Sequence, residues 1–422
     1  MVGVDRKKTR TDSLVRACKL VGRMAKARPQ VHQSEIMYYQ MLTDYFSRLS
    51  KAEEEGKFIS ANTLLFPNEI LWAMDIFPLH TEAAVWLTAL FIGEYDELIS
   101  SGQQLGLAPE ICSPHRGLAG GFATGALPRP NVMLWSNLLC DNTAKCGELL
   151  MEINQCPGFF LDHPYRYTDD ERKYLVLQLE ELILFLEEQS GHKMNWDRLS
   201  EIVAEMDKQI ELLREIGELR KAVPSPFHPL GFLDLVTLDY LFAGQPQETR
   251  YLETLRDELR QAVSTGVGAV EKERFRLMSF FTPPMYLMGF LEQMCQERGA
   301  VSVIEPFFTR WHEGRLDPNK PLESVGLKLR IRPEARMYGP LDDQSLRDVV
   351  KSAEEYKVDG AVYYASVGCR HCCATVKLFR DTLGEMDIPT LTLDCDVVDP
   401  TVVSKEEVRE KFERFFELLE AR

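Results

Sequence analysis

Apolar residues recur along this chain in two patterns, one typical of amphipathic helices and one typical of short buried strands. Residues 12–58 carry apolar side chains such as Leu14, Ala17 and Val21 at helical spacing, which predicts an N-terminal helical segment. Beyond this segment, short apolar runs predict strands at 63–66, 76–77, 131–139 and 159–161. Helices are predicted between them, starting at Pro67, over 82–101, after Cys112, and from Cys140 to about Ile153.

The second half of the chain repeats this alternation after a helical stretch. Helices are predicted over 169–222 and 230–267. Strands follow at 275–281, 300–304, 360–368 and 390–394. They alternate with helices predicted over 284–297, 343–356, 370–384 and 405–420, and a polar connection is predicted between 305 and 342.

Strands that alternate with helices form parallel sheets, so the pattern predicts an α/β fold. We expect two doubly wound, Rossmann-like parallel-sheet lobes, with an N-terminal helical segment and helices between the lobes. The predicted division is an N-terminal helical segment (1–60), a first lobe (61–165), a helical connecting region (166–267) and a second lobe (268–422).

Length and charge narrow the possible partners. A chain of 422 residues is too long for one ordinary core. Its net charge of −16 argues against nucleic acid, because phosphate binding needs clustered Lys and Arg. No apolar run reaches the roughly 18 residues that span a bilayer, and the first eight residues lack the apolar core of a signal peptide. We therefore predict a cytoplasmic protein with no nucleic-acid or membrane partner, whose ten cysteines are not disulfide-bonded.

Three of the cysteines follow predicted buried strands. Cys140 comes after 131–139, Cys369 after 360–368, and Cys395 after 390–394, where it is predicted to lie exposed among acidic residues. In open α/β sheets, ligands bind outside the carboxyl ends of the strands. Thiols at that position are poorly explained by packing, and they indicate a soft metal centre.

Four further cysteines are candidates by position. Cys112 begins a predicted helix rich in small residues. Cys146 lies one and a half helical turns beyond Cys140, about 9 Å along the axis, so it is as consistent with a second metal group as with none. Cys372 and Cys373 follow Cys369, and this C-x-x-C pattern alone is shared by zinc, redox and iron–sulfur sites.

The remaining cysteines are predicted to be structural. Cys18 and Cys295 fall within amphipathic helices, and Cys156 precedes its strand, at the opposite end of the sheet.

Possible proton donors near the predicted crevice are His115, His371 and Glu69, with His163 as a further histidine in that region. The sequence has no Walker phosphate loop, so any requirement for ATP must be met by another protein.

A family resemblance rests on the order of several short motifs. These are Phe66-Pro-Asn-Glu-Ile, Cys112-Ser, Cys140-Asp, Phe160-Leu-Asp-His-Pro, a long acidic helical stretch, Gly-Cys369 and Ile388-Pro-Thr-Leu-Thr-Leu-Asp-Cys-Asp396. Over roughly residues 60–422 the chain resembles the 2-hydroxyacyl-CoA dehydratase and benzoyl-CoA reductase superfamily. The resemblance implies that Cys112, Cys140 and Cys369 hold a [4Fe–4S] cluster, and that a separate ATP-hydrolysing iron–sulfur activator supplies electrons.

The additional cysteines depart from the plain family pattern and resemble the superfamily's double-cubane cluster proteins. That resemblance implies a homodimer that carries an [8Fe–9S] cluster and reduces small molecules at low potential. The implied ligands are Cys112, Cys140, Cys146, Cys369, Cys373 and Cys395, with Cys372 as the reserve. One alternative is a single-cubane subunit of a 2-hydroxyacyl-CoA dehydratase. Another is a non-catalytic electron-storage or metal-binding protein, for which zinc is a candidate metal.

Overall fold

The computed structural model describes residues 10–28, 31–93, 95–166, 168–338 and 343–422. These residues form two compact units. Unit 1 contains the chain up to Asp207 together with Leu238–Tyr251 and Arg315–Leu329. Unit 2 contains Lys208–Thr237, Leu252–Gly314 and Arg330–Arg422. The four-part division of the chain stays a prediction.

Unit 1 is built on a four-stranded parallel sheet in the order β2-β1-β3-β4. Its strands are β1 (Ile59–Asn62), β2 (Phe77–His80), β3 (Val132–Ser136) and β4 (Gly158–Leu161). The residues of the first three strands are all buried, as expected for parallel strands covered on both faces.

Eight helices belong to unit 1 alone within the described ranges. They are α1 (Arg10–Lys26), α2 (Gln33–Ala52), α3 (Asn68–Ala73), α4 (Thr81–Phe91), α5 (Asp96–Gln104), α6 (Ser113–Ala123), α7 (Asp141–Asn154) and α8 (Asp169–Ser190). Four other helices contribute residues to both units, namely α9 (Trp196–Leu219), α10 (Phe232–Phe242), α11 (Pro246–Thr265) and α13 (Pro321–Ile331).

Unit 2 repeats the same sheet topology, with parallel strands in the order β6-β5-β7-β8. The strands are β5 (Phe275–Phe280), β6 (Ala300–Ile304), β7 (Gly360–Ser366) and β8 (Thr390–Cys395). The helices are α12 (Met288–Arg298), α14 (Pro333–Tyr338), α15 (Asp343–Glu355), α16 (Arg370–Glu385) and α17 (Lys405–Glu420).

Aromatic side chains fill the core of unit 2. Phe280, at the end of β5, lies 5.6 Å from the ring of Tyr363 and 5.4 Å from that of Phe379, measured between ring centroids. Burial of one such side chain contributes about 1.5–3 kcal/mol to stability. This packing fixes α16 against β5 and β7 and thereby positions the start of α16.

The predicted fold class is confirmed, since both sheets are parallel and doubly wound. One predicted strand was wrong in position: β1 occupies Ile59–Asn62 rather than 63–66. The apolar run at 63–66 forms a turn instead, in which Leu65 has a φ of +58°. Apolar content alone did not distinguish the strand from the buried turn that follows it.

Other predicted elements also differ from the structure. The helical stretches predicted over 169–222 and 230–267 are each two helices, α8 and α9, and α10 and α11. The helix predicted over 12–58 is two helices, α1 and α2, and the one predicted over 82–101 is also two, α4 and α5. Gly93, with a φ of +71°, lies between α4 and α5 and adopts a conformation that other residues avoid. The predicted polar connection between 305 and 342 contains α13 and α14, and its residues 339–342 lie outside the described ranges. No helix of the described residues is both long enough and apolar enough to cross a membrane.

Candidate metal centre

The carboxyl edge of the unit 1 sheet is polar although its strands are buried. Strands β1, β2 and β3 end in Asn62, His80 and Ser136, all of them buried. From β1 the chain continues to β2 on one side of the sheet, and from β3 it continues to β4 on the other side, so the strand order reverses between β1 and β3. Ligands of such sheets usually bind in the crevice outside the carboxyl ends of these two strands. Polar groups are thus concentrated where a ligand is expected.

Two predicted ligands begin helices at this edge. Cys112 is the N-cap residue of α6 and Cys140 is the N-cap residue of α7, and both side chains are half-buried. The first peptide N–H groups of a helix carry a partial positive charge, which stabilises a thiolate at that position. Both cysteines are therefore placed as the sequence predicted.

Close packing of α7 against β3 fixes the position of Cys140. A Cβ atom at Gly147 would lie 2.2 Å from Cγ of Trp135, on β3. Only glycine permits this approach, because any side chain would force the helix away from the sheet. Gly147 therefore sets the distance between α7 and the sheet.

Cys146 is buried one and a half turns into α7. Burial raises the pKa of its thiol well above the ordinary value, and the negative charges of Glu82 and Cys140 raise it further. A thiol in this environment stays protonated unless a cation replaces the proton.

A buried carboxylate, which the sequence analysis missed, lies near these cysteines. Oε1 of Glu82 is 3.5 Å from Nε2 of His115, and the Thr81 hydroxyl donates to Oε2 of Glu82 at 2.7 Å. Burial opposes ionisation, yet the contact with His115, the charges of His80 and His115, and the bond from Thr81 together lower the pKa of Glu82. The sequence feature that could have identified Glu82 is a Thr-Glu pair directly after a strand, at the start of an otherwise apolar helix.

Glu69, a predicted proton donor, belongs to a buried ion pair. Its Oε1 accepts a hydrogen bond from Nζ of Lys328 at 2.5 Å, and Oδ1 of Asp239 lies 3.5 Å from the same Nζ. Lys328 was missed because α13 was predicted as a polar connection. This contact is characteristic of a carboxylate that neutralises a buried cation.

The carboxyl edge of unit 2 gathers three predicted ligands around Ser366, the last residue of β7. Cys369 is the N-cap residue of α16, and its Sγ accepts from the backbone N–H of Cys372 at 3.4 Å. The thiol of Cys373 donates to the carbonyl oxygen of Ser366 at 3.3 Å. Cys395 ends β8 and pairs with Ser366 in the sheet. The strand order of unit 2 reverses between β5 and β7, as it does between β1 and β3 in unit 1.

The prediction that Cys395 lies exposed is wrong. Its side chain has no exposed surface, because alternate residues of a strand face opposite sides and Cys395 points inward while Asp394 points outward. Burial raises the pKa of the Cys395 thiol well above the ordinary value, and the charges of Asp396, Asp394 and Cys373 raise it further.

Cys372, the reserve ligand, lies in the apolar core. It has no exposed surface, and its thiol donates to the carbonyl oxygen of Tyr364 at 3.1 Å. It packs in the same cluster as Phe280 and Phe379. These contacts are typical of a structural cysteine.

The predicted histidines differ in burial. His115 is buried, and its backbone N–H donates to the carbonyl oxygen of Cys112 at 3.0 Å. His371 is half-buried, with its ring 6.5 Å from that of Phe281. Burial lowers the pKa of His163, beyond β4, to about 4, so this residue is neutral at pH 7.

The cysteines predicted to be structural lie away from both carboxyl edges. Cys18 and Cys295 are buried in α1 and α12, and burial raises the pKa of each to about 12. Cys156 precedes β4 at the amino edge of its sheet and is only half-buried.

The candidate ligands differ from the donor set of a single bound ion. Among the residues that the structure describes, no three Cys, His, Asp or Glu side chains converge on one ion. The cysteines of an iron–sulfur cluster bind different iron atoms and need not converge in this way. Five of the six implied ligands are thiols at the carboxyl edge of a sheet, and the sixth, Cys146, is buried beside Glu82. An all-thiol donor set selects an iron–sulfur cluster or zinc rather than a hard cation.

The fold and these thiols define a doubly wound α/β protein with candidate metal ligands at the ends of its strands. Within that class, the chain belongs to the 2-hydroxyglutaryl-CoA dehydratase D-component family, whose model matches residues 63–419. It is thus a member of the 2-hydroxyacyl-CoA dehydratase and benzoyl-CoA reductase superfamily that the sequence motifs predicted.

Named relatives cover most of the chain. A benzoyl-CoA reductase subunit of Thauera aromatica is 24% identical, over 94% of this chain and 97% of its own length. The (R)-2-hydroxyisocaproyl-CoA dehydratase alpha subunit of Clostridioides difficile is 22% identical, over 92% and 97%. The lactoyl-CoA dehydratase alpha subunit of Anaerotignum propionicum is 20% identical, over 78% and 76%. All three are similar to this chain and carry the names of enzyme subunits.

Proposed function

We propose that this protein is the iron–sulfur component of a low-potential reductase, with a double-cubane [8Fe–9S] cluster as its cofactor. An ATP-hydrolysing [4Fe–4S] reductase would supply the electrons, and a small molecule would receive them. The observation that carries the proposal is the group of thiols around Ser366. A single cubane held by Cys112, Cys140 and Cys369 would leave Cys373 and Cys395 without a role.

The proposed ligands are three from each unit. They are Cys112, Cys140 and Cys146 from unit 1, and Cys369, Cys373 and Cys395 from unit 2. The contacts of Cys372 with Tyr364 and the apolar core favour Cys373 as the ligand from α16.

When bound, the cluster supplies low-potential electrons to a substrate beside it. The surrounding residues would set the potential and supply protons. The ionised Glu82 lies against His115, which suits a site that holds a proton near the Cys112 end of α6. We assign Glu69 a positioning role through Lys328, and we keep His371 as a second candidate proton donor.

The partner and the compartment follow from the same proposal. The sequence has no Walker phosphate loop, so ATP hydrolysis is assigned to the partner reductase. We propose a homodimer in the cytoplasm, where thiols remain reduced.

A single-cubane dehydratase subunit is the second candidate function. The names of two relatives, the 2-hydroxyisocaproyl-CoA and lactoyl-CoA dehydratase alpha subunits, favour it. It would use one [4Fe–4S] cluster and act on a 2-hydroxyacyl-CoA. The two candidates differ in their need for Cys395.

The test is the content of iron and acid-labile sulfide per chain after strictly anaerobic purification. We expect about eight irons for the double cubane, whereas a single cubane predicts about four. Cys395→Ser should lower the iron content and change the visible and electron paramagnetic resonance spectra. Cys156→Ser, at the opposite sheet edge, is the matched control and should alter neither.

Two outcomes would contradict the proposal. Unchanged iron and spectra in Cys395→Ser, together with dehydratase activity on an acyl-CoA, would establish the single-cubane alternative. Colourless protein with stoichiometric zinc would establish the non-catalytic metal-binding alternative.

A further inference from the structure

Helix α1 has a basic, partly apolar face turned to solvent. Its exposed basic residues form one row at spacings of three and four: Arg16, Lys19, Arg23 and Lys26. Beside them, Leu20 and Met24 are 59% and 60% exposed. None of these four cations makes an ion pair with a side chain in the described part of the chain. Because these charges form no ion pair and these apolar groups stay exposed within the described residues, the face is available to a partner.

Helix α8 has an exposed face that is acidic and partly apolar, complementary in charge to that of α1. Its exposed face carries Leu177 and Leu184, which are 56% and 66% exposed, at a spacing of two helical turns. Three exposed acids surround them, namely Glu180, Glu181 and Glu188. Within the described residues, none of the three forms an ion pair. A single exposed leucine is ordinary, but two in one row with unneutralised charges around them are typical of a contact surface.

Both helices are held firmly by their opposite faces. Leu14, Cys18 and Ala25 of α1 are buried, and Gly22 approaches Tyr39 of α2 so closely that a Cβ atom would lie 3.0 Å from that side chain. The buried face of α8 is formed by Leu175, Leu179, Leu182, Ile183 and Leu186. The exposed faces are therefore presented on fixed supports and lose little conformational entropy when they bind.

The charges of the two helices oppose each other in a chain of net charge −16. α1 contains five basic residues and one acidic residue, whereas α8 contains seven acidic and two basic residues. An acidic protein repels a second copy of itself unless a local contact brings opposite charges together. Such a contact is available between α1 of one copy and α8 of another.

We propose that two copies of this chain associate through α1 of each protomer docked on α8 of its partner. A two-fold arrangement forms this contact twice, so each ion pair and each apolar pair counts twice. The inference rests on the homodimer named in the proposed function and specifies its contact, but it does not depend on the metal centre.

The test is a charge exchange on the full-length, anaerobically purified protein. One variant, Arg16→Glu/Lys19→Glu/Arg23→Glu, makes α1 acidic. The other, Glu180→Lys/Glu181→Lys/Glu188→Lys, makes α8 basic. Light scattering or analytical ultracentrifugation gives the mass at micromolar concentrations. Lys51→Glu/Lys57→Glu/Lys320→Glu carries the same charge change on exposed residues outside α1 and serves as the matched control.

The expected result is a wild-type dimer that dissociates more readily at about 1 M salt, where the Debye length falls to about 3 Å. Each charge variant alone should dimerise roughly a hundredfold more weakly, since like charges then face each other twice. An equimolar mixture should recover a dimer, because both contacts of the mixed pair join opposite charges. The control variant should remain dimeric, and circular dichroism should show every variant folded.

Several outcomes would overturn the inference. They are a monomeric wild type, variants that dimerise as the wild type does, a mixture that stays monomeric, and species that grow beyond a dimer with concentration. Loss of electron delivery from the reductase with an unchanged mass would assign the α1 face to that partner instead. Iron content distinguishes these failures from failure of the proposed function, because it does not depend on α1 or α8.

Discussion

The carboxyl edges of the two sheets share a topology but differ in chemistry. In both units the strand order reverses beside the first strand, and in both an N-cap cysteine begins the helix that follows the third strand of the sheet. Near the unit 1 cysteines lie buried ionisable groups: Glu82 is close to Cys146, and His115 contacts Glu82 and donates its backbone N–H to Cys112. Around Cys369 lie two further thiols, Cys373 and Cys395, above an aromatic core.

The difference shows what the fold supplies and what the side chains add. The parallel sheet places a thiol at a helix start in each unit, because the chain turns from strand to helix there. The neighbouring side chains determine the chemistry of each edge. The unit 1 edge can hold a proton on fixed polar groups, whereas the unit 2 edge offers a high density of soft ligands. The following experiments test that contrast.

The largest expected effect is a difference in iron content between variants of two unit 2 cysteines that are three residues apart. Cys369→Ala should remove most of the bound iron, because this thiol is at the sheet edge. Cys372→Ala should keep the iron and lose about 1–2 kcal/mol of unfolding free energy, because its side chain fills the core. Iron analysis and denaturant unfolding measure the two effects, and iron loss in Cys372→Ala alone would reverse the assignment.

The next effect compares one buried ion pair from each unit. In unit 2, Arg220 donates to Glu305 at 2.7 Å and both side chains are almost fully buried. Glu305→Gln should cost about 3–5 kcal/mol, since it leaves a buried cation without its anion. In unit 1, Glu69→Gln should cost less, about 2 kcal/mol, because Asp239 remains 3.5 Å from Lys328.

Denaturant unfolding followed by circular dichroism gives both free energies. Equal losses in Glu305→Gln and Glu69→Gln would mean that Asp239 does not support Lys328. If Asp239 does support Lys328, the double variant Glu69→Gln/Asp239→Asn should raise the loss of unfolding free energy in unit 1 to that of Glu305→Gln in unit 2.

Features that depend on local order could be predicted from the sequence. Strands β3, β7 and β8 and the helices that follow Cys140 and Cys369 were found from apolar runs bounded by polar residues. α17 was predicted over the residues it occupies, 405–420. The candidate thiols were identifiable because their position relative to a strand end is itself a local property.

Features that depend on distant contacts could not be predicted. Glu82 and His115 are far apart in sequence, and Glu69 and Lys328 are separated by 259 residues. No local pattern records either pairing. The burial of Cys395 was missed because its neighbours Asp394 and Asp396 suggested exposure. Only Asp394 points outward, since adjacent residues of a strand face opposite sides, and Asp396, beyond the end of the strand, is buried.

The smallest expected effect is a dependence of stability on pH that arises in unit 1. Burial lowers the pKa of His163 to about 4, against about 6.5 for an unfolded histidine. The unfolded chain therefore binds the proton more readily, so the contribution of His163 to stability is complete above pH 6.5 and is lost as the pH falls toward 4. The expected loss from this residue between pH 7 and pH 5 is about 2 kcal/mol.

Protonation at this position would also disturb the segment that precedes Cys140. The side chain of Asn137 accepts from the backbone N–H of His163 at 2.7 Å and donates to its carbonyl oxygen at 3.1 Å. His163→Gln removes the titrating group. Its unfolding free energy at pH 7, compared with that of the wild type, measures the effect of the substitution that does not depend on pH. The variant should then lose about 2 kcal/mol less than the wild type between pH 7 and pH 5 in denaturant unfolding. If both proteins lost the same amount, the acid sensitivity would arise elsewhere, and the unit 1 edge would not be the more proton-responsive of the two.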